Sequence, residues 1–164
     1  MRVRQAINYA LDRKLLATAL FGKLAEPSAQ LQSKGFLGYD PEIEKRYPYD
    51  PAKAKALLAE AGYPNGFEVK MNCPNDRYVN DAEICQAVAA NLAKIGVKIN
   101  LEAETKGTYF PKILRRDTSF YMLGWTASTV DAHNVLYPIL STPGDGGRGQ
   151  FNLGAYSNPK VDEL

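Results

Sequence analysis

The 164-residue sequence holds one histidine, one tryptophan and two cysteines. It has no apolar run approaching the roughly 18 residues of a membrane-spanning helix. With a single histidine, and with Cys73 and Cys85 too far apart for a CxxC pair, neither a redox motif nor the Cys/His cluster of a structural zinc site can be built. No sign of charge is in large excess either. Twenty basic residues against 18 acidic ones leave a formal +2 spread along the chain, without the basic stripe that would track a phosphate backbone. Nucleic acid is therefore not an expected partner, and no cofactor or metal ligand set is expected. The N-terminus lacks the basic, apolar and small-residue order of a signal peptide, so the sequence as it stands predicts a soluble chain without a targeting segment. The two cysteines weigh toward buried free thiols, with a disulfide as the alternative in an oxidising compartment.

What is present is an ordinary globular composition, 45% apolar and 23% charged. One domain over residues 1–164 buries roughly 70% of the surface that its unfolded chain exposes, so no staple is required for folding. The predicted class is α/β, a mainly parallel sheet flanked by helices. Val3, Ile7, Ala10 and Leu11 share one side of a first helix, and Asp12 then offers an N-cap for Arg13 to Phe21. Residues 22–50 show no lasting period and are punctuated by Pro27, Gly35, Gly38, Pro41 and Pro48, which predicts a long ordered loop. Asp50-Pro51 opens a helix that Gly62 ends.

Phe67 to Cys73 alternates as a half-buried strand, Asp81 to Ile95 has helical spacing, and Val97 to Ala103 alternates again. Tyr109 to Arg116 reads as a short helix. Ser119 to Trp125 is a nearly continuous apolar run, as expected for a third strand covered on both faces. Strands alternating with helices imply parallel pairing. At the far end Ser157 or Asn158 caps a helix opened by Pro159, and its brevity before Leu164 predicts a piece of a longer protein.

In an open parallel sheet the ligand crevice lies beyond the carboxyl ends of the strands. Arg77, in the loop after the first strand, and Trp125, at the end of the third, are then expected on one edge. The arginine offers a planar fork for a carboxylate and the tryptophan a flat apolar surface. Tyr78, Arg148 and Asn152 are added because they flank the same predicted edge. Each also has a plainer reading, as surface charge, core aromatic or solvated loop.

Ser128, Asp131 and His133 lie close together in sequence and suggest a hydrolase or transferase using Ser128 and His133. Against it, Asp131 and His133 are two residues apart near a helix start and so face different ways, and no G-x-S-x-G elbow surrounds the serine. Gly144 to Gly149 lacks the lysine and hydroxyl of a P-loop and is expected to be a flexible loop.

Four segments stand in a familiar order: Val3-Arg-Gln-Ala-Ile-Asn-Tyr-Ala-Leu-Asp-Arg13, Tyr49-Asp-Pro-Ala-Lys-Ala-Lys-Ala-Leu-Leu-Ala-Glu-Ala-Gly62, Leu123-Gly-Trp125 and Tyr156-Ser-Asn-Pro-Lys-Val-Asp162. In this the chain resembles the peptide/nickel-type (family 5) solute-binding proteins of ABC importers. The resemblance implies one lobe of a type II periplasmic binding protein, a passive receptor rather than an enzyme. It implies a periplasmic or membrane-anchored extracellular location, a first lobe that closes over a peptide-like solute, and delivery to a permease with its ATPase. In dipeptide and oligopeptide binders an aspartate three residues after the tryptophan receives the ligand's amine, and here that position is Ser128. Ser128-Thr129-Val130-Asp131 is more similar to the glutathione-binding branch, with Asp131 in reach of the aspartate's role. Arg77 falls near the place of a carboxylate-binding arginine in dipeptide binders. Within the same family, a nickel or haem carrier using His133 is a further expectation.

Overall fold

The computed structural model describes residues 1–163. Helix α1 (Arg2–Ala10) is followed by α2 (Arg13–Phe21), where the Asp12 carboxylate accepts a bond from the Leu15 N–H at 2.9 Å. Helix α3 (Pro51–Glu60) begins in the same way, with Asp50 accepting from Lys53 N at 2.9 Å and proline at its first position. Between α2 and α3 the chain forms only the 3₁₀ turn Ile43–Lys45. That stretch is ordered by polar contacts: Glu44 accepts from Ser28 Oγ and Ala29 N, both at 2.8 Å, and Arg13 donates to the Tyr47 carbonyl at 3.0 Å. It also touches a distant segment, since Leu37 N donates to Val130 O at 2.9 Å.

Strand β1 (Phe67–Pro74), helix α4 (Asp81–Ala93) and strand β2 (Val97–Glu104) form a β-α-β unit. The strands pair in parallel from Phe67 opposite Val97 to Pro74 opposite Glu104. This register puts Val69, Met71 and Cys73 with Val97, Ile99 and Leu101 on the face that packs against α4, and leaves Glu68, Lys70, Lys98 and Glu102 on the other. There they pair across strands, Lys98 with Glu68 at 3.0 Å and Lys70 with Glu102 at 2.6 Å.

Helix α5 is Lys106–Leu114, beginning three residues before the predicted Tyr109. Helix α6 is His133–Leu140, and α7, Pro159–Asp162, is capped by Asn158 rather than Ser157. No helix among the described residues is long and apolar enough to cross a membrane.

Two expectations are corrected. The third strand is reduced to one bridging position, Tyr121 opposite Asn72, held by Asn72 N to Phe120 O at 3.0 Å and Met122 N to Asn72 O at 3.2 Å. The two-sided burial that its sequence encodes is nonetheless present. Phe120 and Met122 pack with Met71, Cys73 and Cys85, while Tyr121 and Leu123 pack with Tyr109, Ile113 and Leu153. On the α5 side, the Tyr109 hydroxyl donates to the Met122 carbonyl.

The second correction concerns Cys73 and Cys85, which form a disulfide rather than two free thiols, with Cα atoms 6.5 Å apart. Both are fully buried, one at the end of β1 and one in the second turn of α4, so the packing of helix on strand brings them face to face.

The Gly144–Gly149 segment is a turn closed by Gly144 N to Arg148 O at 3.0 Å and by Gly149 N to Tyr137 O at 3.1 Å. Gly149 cannot be replaced without strain, because a Cβ there would lie 2.3 Å from the Ser141 carbonyl at a positive φ of 58°.

Candidate functional site

The segment after β1 and the segment after Tyr121 leave the same edge of the sheet and enclose a cleft of about 390 Å³. Arg77, Tyr78, Phe110, Leu123, Gly124, Trp125, Thr126 and Phe151 line it. Arg77, Tyr78 and Trp125 are thus brought together across 48 positions of sequence.

The wall is continuous. The Arg77 guanidinium lies over the Tyr78 ring, 4.9 Å from its centroid, and the Tyr78 hydroxyl donates to the Gly124 carbonyl at 3.3 Å. Gly124 is obligatory for this stacking, since a Cβ there would meet Tyr78 Cε1 at 2.7 Å. Trp125 is 36% exposed, and its ring meets Phe151 edge to face at 5.2 Å.

Arg77 makes no ion pair among the described residues, and the lining contains no acidic side chain. A free guanidinium among aromatic rings suits a ligand with a carboxylate and an apolar body.

The loop that carries Arg77 and Tyr78 is secured at both ends. Asn75 N donates to Glu104 O at 3.0 Å, and Asp76 accepts from Lys106 N, at the start of α5, at 2.6 Å. At the other end Asp81, buried in the first turn of α4, accepts from the backbone of Arg77, Tyr78 and Ala82. Burial alone would raise the Asp81 pKa, but these N–H bonds more than offset it and hold the carboxyl below its ordinary range.

The other expected residues lie elsewhere. Ser128, Thr129 and Asp131 are exposed in the segment before α6 and do not line the cleft. Ser128 is engaged by Asn134, whose Oδ1 accepts from its N–H and whose Nδ2 donates to its Oγ, both at 2.9 Å. Asp131 accepts from His133 N at 2.7 Å, and Thr129 Oγ1 accepts from Asp131 N at 3.4 Å. The His133 ring stacks on Tyr137 with centroids 4.6 Å apart.

Asp131 and Arg148 share a second cavity of about 470 Å³, with His133, Tyr137 and Asp162 among its lining. There Arg148 pairs with Asp162 at 2.9 Å rather than facing the first cleft. Asn152 is internal: its Nδ2 donates to the Ser141 and Tyr156 carbonyls at 2.9 and 2.7 Å, and its Oδ1 accepts from Tyr156 N at 3.0 Å. With both ends of its amide satisfied it braces the chain behind Phe151. The pair Asp131 and Arg148 was separated from Arg77 by tertiary packing that no sequence period records.

Phe110, Leu123, Gly124 and Phe151 were not anticipated as lining. Phe110 carried no usable signal, because it adjoins core residue Tyr109 on the same helix. Gly124 was legible in the Leu123-Gly-Trp125 segment, but its reason, the ring of Tyr78, was not.

A β-α-β unit with helices around it and a cleft at the carboxyl edge is an α/β arrangement, and the solved structures on which it superposes make its class that of a periplasmic binding protein lobe. The chain belongs to family 5 of the bacterial extracellular solute-binding proteins. The family model described as "Bacterial extracellular solute-binding proteins, family 5 Middle" matches residues 1–147.

Among relatives, the chain is 33% identical to heme-binding protein A of Haemophilus influenzae over 172 residues, covering 100% of this chain and 30% of that protein. It is 34% identical to the glutathione-binding protein GsiB of Pectobacterium atrosepticum over 169 residues, covering 98% and 32%. Among solved structures, the periplasmic binding protein DppA of Helicobacter pylori, in complex with the peptide STSA, superposes with a TM-score of 0.86 at 27% identity, covering 99% of this chain and 31% of that one. The chain therefore spans about a third of the length of the relatives that it matches.

Proposed function

We propose that this chain is the solute-contacting lobe of a binding protein that captures a peptide-like solute, a dipeptide, an oligopeptide or glutathione, between two lobes. The captured solute is then passed to an ABC permease and its ATPase at the outer face of the membrane, from the periplasm or from a membrane-anchored extracellular position. The single observation that carries this reading is the convergence of unpaired Arg77 with Tyr78 and Trp125 in one cleft on the carboxyl edge of the sheet. Arg77 takes the solute carboxylate and Trp125 packs its apolar part. Ser128, Thr129 and Asp131, on the adjoining segment, meet its polar end when the other lobe closes. The names of the glutathione-binding protein GsiB and of the peptide-bound DppA support the solute class.

The lobe binds and does not catalyse. Ser128 Oγ is held by Asn134 and the His133 ring is stacked on Tyr137, so the pair has no shared hydrogen bond from which a hydrolase or transferase would work. Serine-dependent turnover of peptide or ester substrates, lost in Ser128→Ala, would contradict this.

If two lobes together reach about 1 µM, near 8 kcal/mol, and this one supplies half, its own dissociation constant is about 1 mM. Titration of the chain with glutathione and with a dipeptide, followed by calorimetry or NMR, is expected to give millimolar binding that Arg77→Ala weakens. Micromolar binding by this chain alone would refute a shared cleft.

A haem-binding reading has one specific support, the 33% identity to heme-binding protein A together with four aromatic rings, Tyr78, Phe110, Trp125 and Phe151, around one cation. Saturable haem absorbance changes that Arg77→Ala removes would favour it over the peptide reading. Nickel, by contrast, would have to be held through His133, and no group of three metal-ligating side chains gathers among the described residues.

A further inference from the structure

Arg77 and Tyr78 leave a stretch with no regular structure, so the direction of both side chains depends on what fixes the backbone there. Asp81 is 3% exposed and does not touch the cleft, yet its Oδ2 accepts from Arg77 N at 2.9 Å and from Tyr78 N at 3.0 Å. Bonds from two successive amides to one buried oxygen fix both peptide planes against α4. The other oxygen accepts from Ala82 N at 2.9 Å, which anchors the carboxylate to the helix itself. Just before it, Asn80 takes the left-handed conformation at φ 57° and donates to the Leu20 carbonyl at 2.8 Å, tying the turn to α2. From the loop outward, Tyr78 lies on Gly124, and Arg77 lies on Tyr78.

We propose that Asp81 is a positioning residue of the cleft: by holding the Arg77 and Tyr78 amides it keeps the Arg77 guanidinium in the cleft that Trp125 also lines, so that an entering anion meets a cation already in place. The inference rests on the reading of this cleft as the solute site. A carboxylate that only capped α4 would stabilise the helix and leave the attraction of anions to Trp125 unchanged.

The sole tryptophan lines the cleft, so its fluorescence reports that place alone. Quenching is measured at low ionic strength with iodide, an anion, and with neutral acrylamide. A fixed unit charge within several ångströms enriches the anion by about twofold, an effect that salt screens. Arg77→Ala is expected to lower the iodide-to-acrylamide quenching ratio by about that factor, and Asp81→Ala, which leaves no side-chain acceptor for the two amides, to lower it similarly while far-UV circular dichroism and acrylamide quenching hold. The direction is diagnostic, because Asp81→Ala makes the chain more positive and a through-space effect alone would raise iodide quenching.

If Arg77→Ala lowers the ratio and Asp81→Ala does not, the role of Asp81 is overturned and the cleft reading stands. If Arg77→Ala leaves the ratio unchanged, the cleft reading fails and the inference falls with it. Should Asp81→Ala not fold, amide exchange in the unsubstituted protein decides. Arg77 and Tyr78 are expected to exchange at least about tenfold more slowly than Asp76, whose N–H has no partner among the described residues, and equal rates would overturn the proposal.

Discussion

Removing the Cys73–Cys85 bridge tests the join between stability and site, because the bridge closes the segment that carries Arg77 and Tyr78. The cysteines are 12 positions apart, and closing a loop of that size in the unfolded chain is worth about 3 kcal/mol. At roughly 2–4 °C per kcal/mol for a domain of this length, the Cys73→Ala/Cys85→Ala double variant is expected to lose about 6–12 °C in Tm. Both side chains are fully buried against Met71 and Met122, so lost packing adds to the fall rather than masking it. The assay is thermal unfolding by circular dichroism, oxidised, reduced and doubly substituted, with thiol counting in denaturant. Two titratable thiols in the oxidised protein, or a Tm change below about 2 °C, would refute the reasoning.

Gly124→Ala places a Cβ 2.7 Å from the Tyr78 ring and is expected to cost about 1–3 kcal/mol and to weaken solute binding, read by denaturant unfolding and calorimetry. Tyr109→Phe removes the hydroxyl bond to the Met122 carbonyl and is expected to cost about 1 kcal/mol, measured in the same unfolding experiment. Leu92→Ala, in the cluster joining α1, α3 and α4, is expected to cost about 2–5 kcal/mol without moving the millimolar affinity of the fraction that remains folded. Asp81 has a folded pKa below its unfolded value near about 3.9, so its contribution is complete above that value and is lost as pH falls through the folded pKa. Tm plotted against pH is therefore expected to drop on the acid side, and Asp81→Asn to flatten that drop; an unchanged acid limb would count against it.

Much of the secondary structure was legible because it is local. The apolar spacing of α1, the Asp12 and Asp50 caps, the alternation in β1 and β2 and the helical period of α4 are each written in a few neighbouring residues. The third strand was misjudged for the same reason. Its apolar run encodes burial on both faces, which it has, but a ladder requires backbone alignment with β1, which is met only where Tyr121 lies opposite Asn72. In the site, the strand-end rule was enough to bring Arg77 and Trp125 to one edge, whereas Asn152 and Arg148 were expected there on proximity to that edge alone.

By itself, then, the sequence determined the inward faces of α1, α4, β1 and β2 and the starts of the capped helices α2 and α3, since period and capping depend on neighbours within a turn. It assigned both cysteines to the interior by residue type, as buried thiols. Only the tertiary structure decided that they pair, that Arg148 turns to Asp162 in a second cavity, and that Tyr78 covers Gly124. Those contacts join side chains from elements whose separation and tilt are fixed by the packing of three apolar clusters, and no local pattern records a distance between elements.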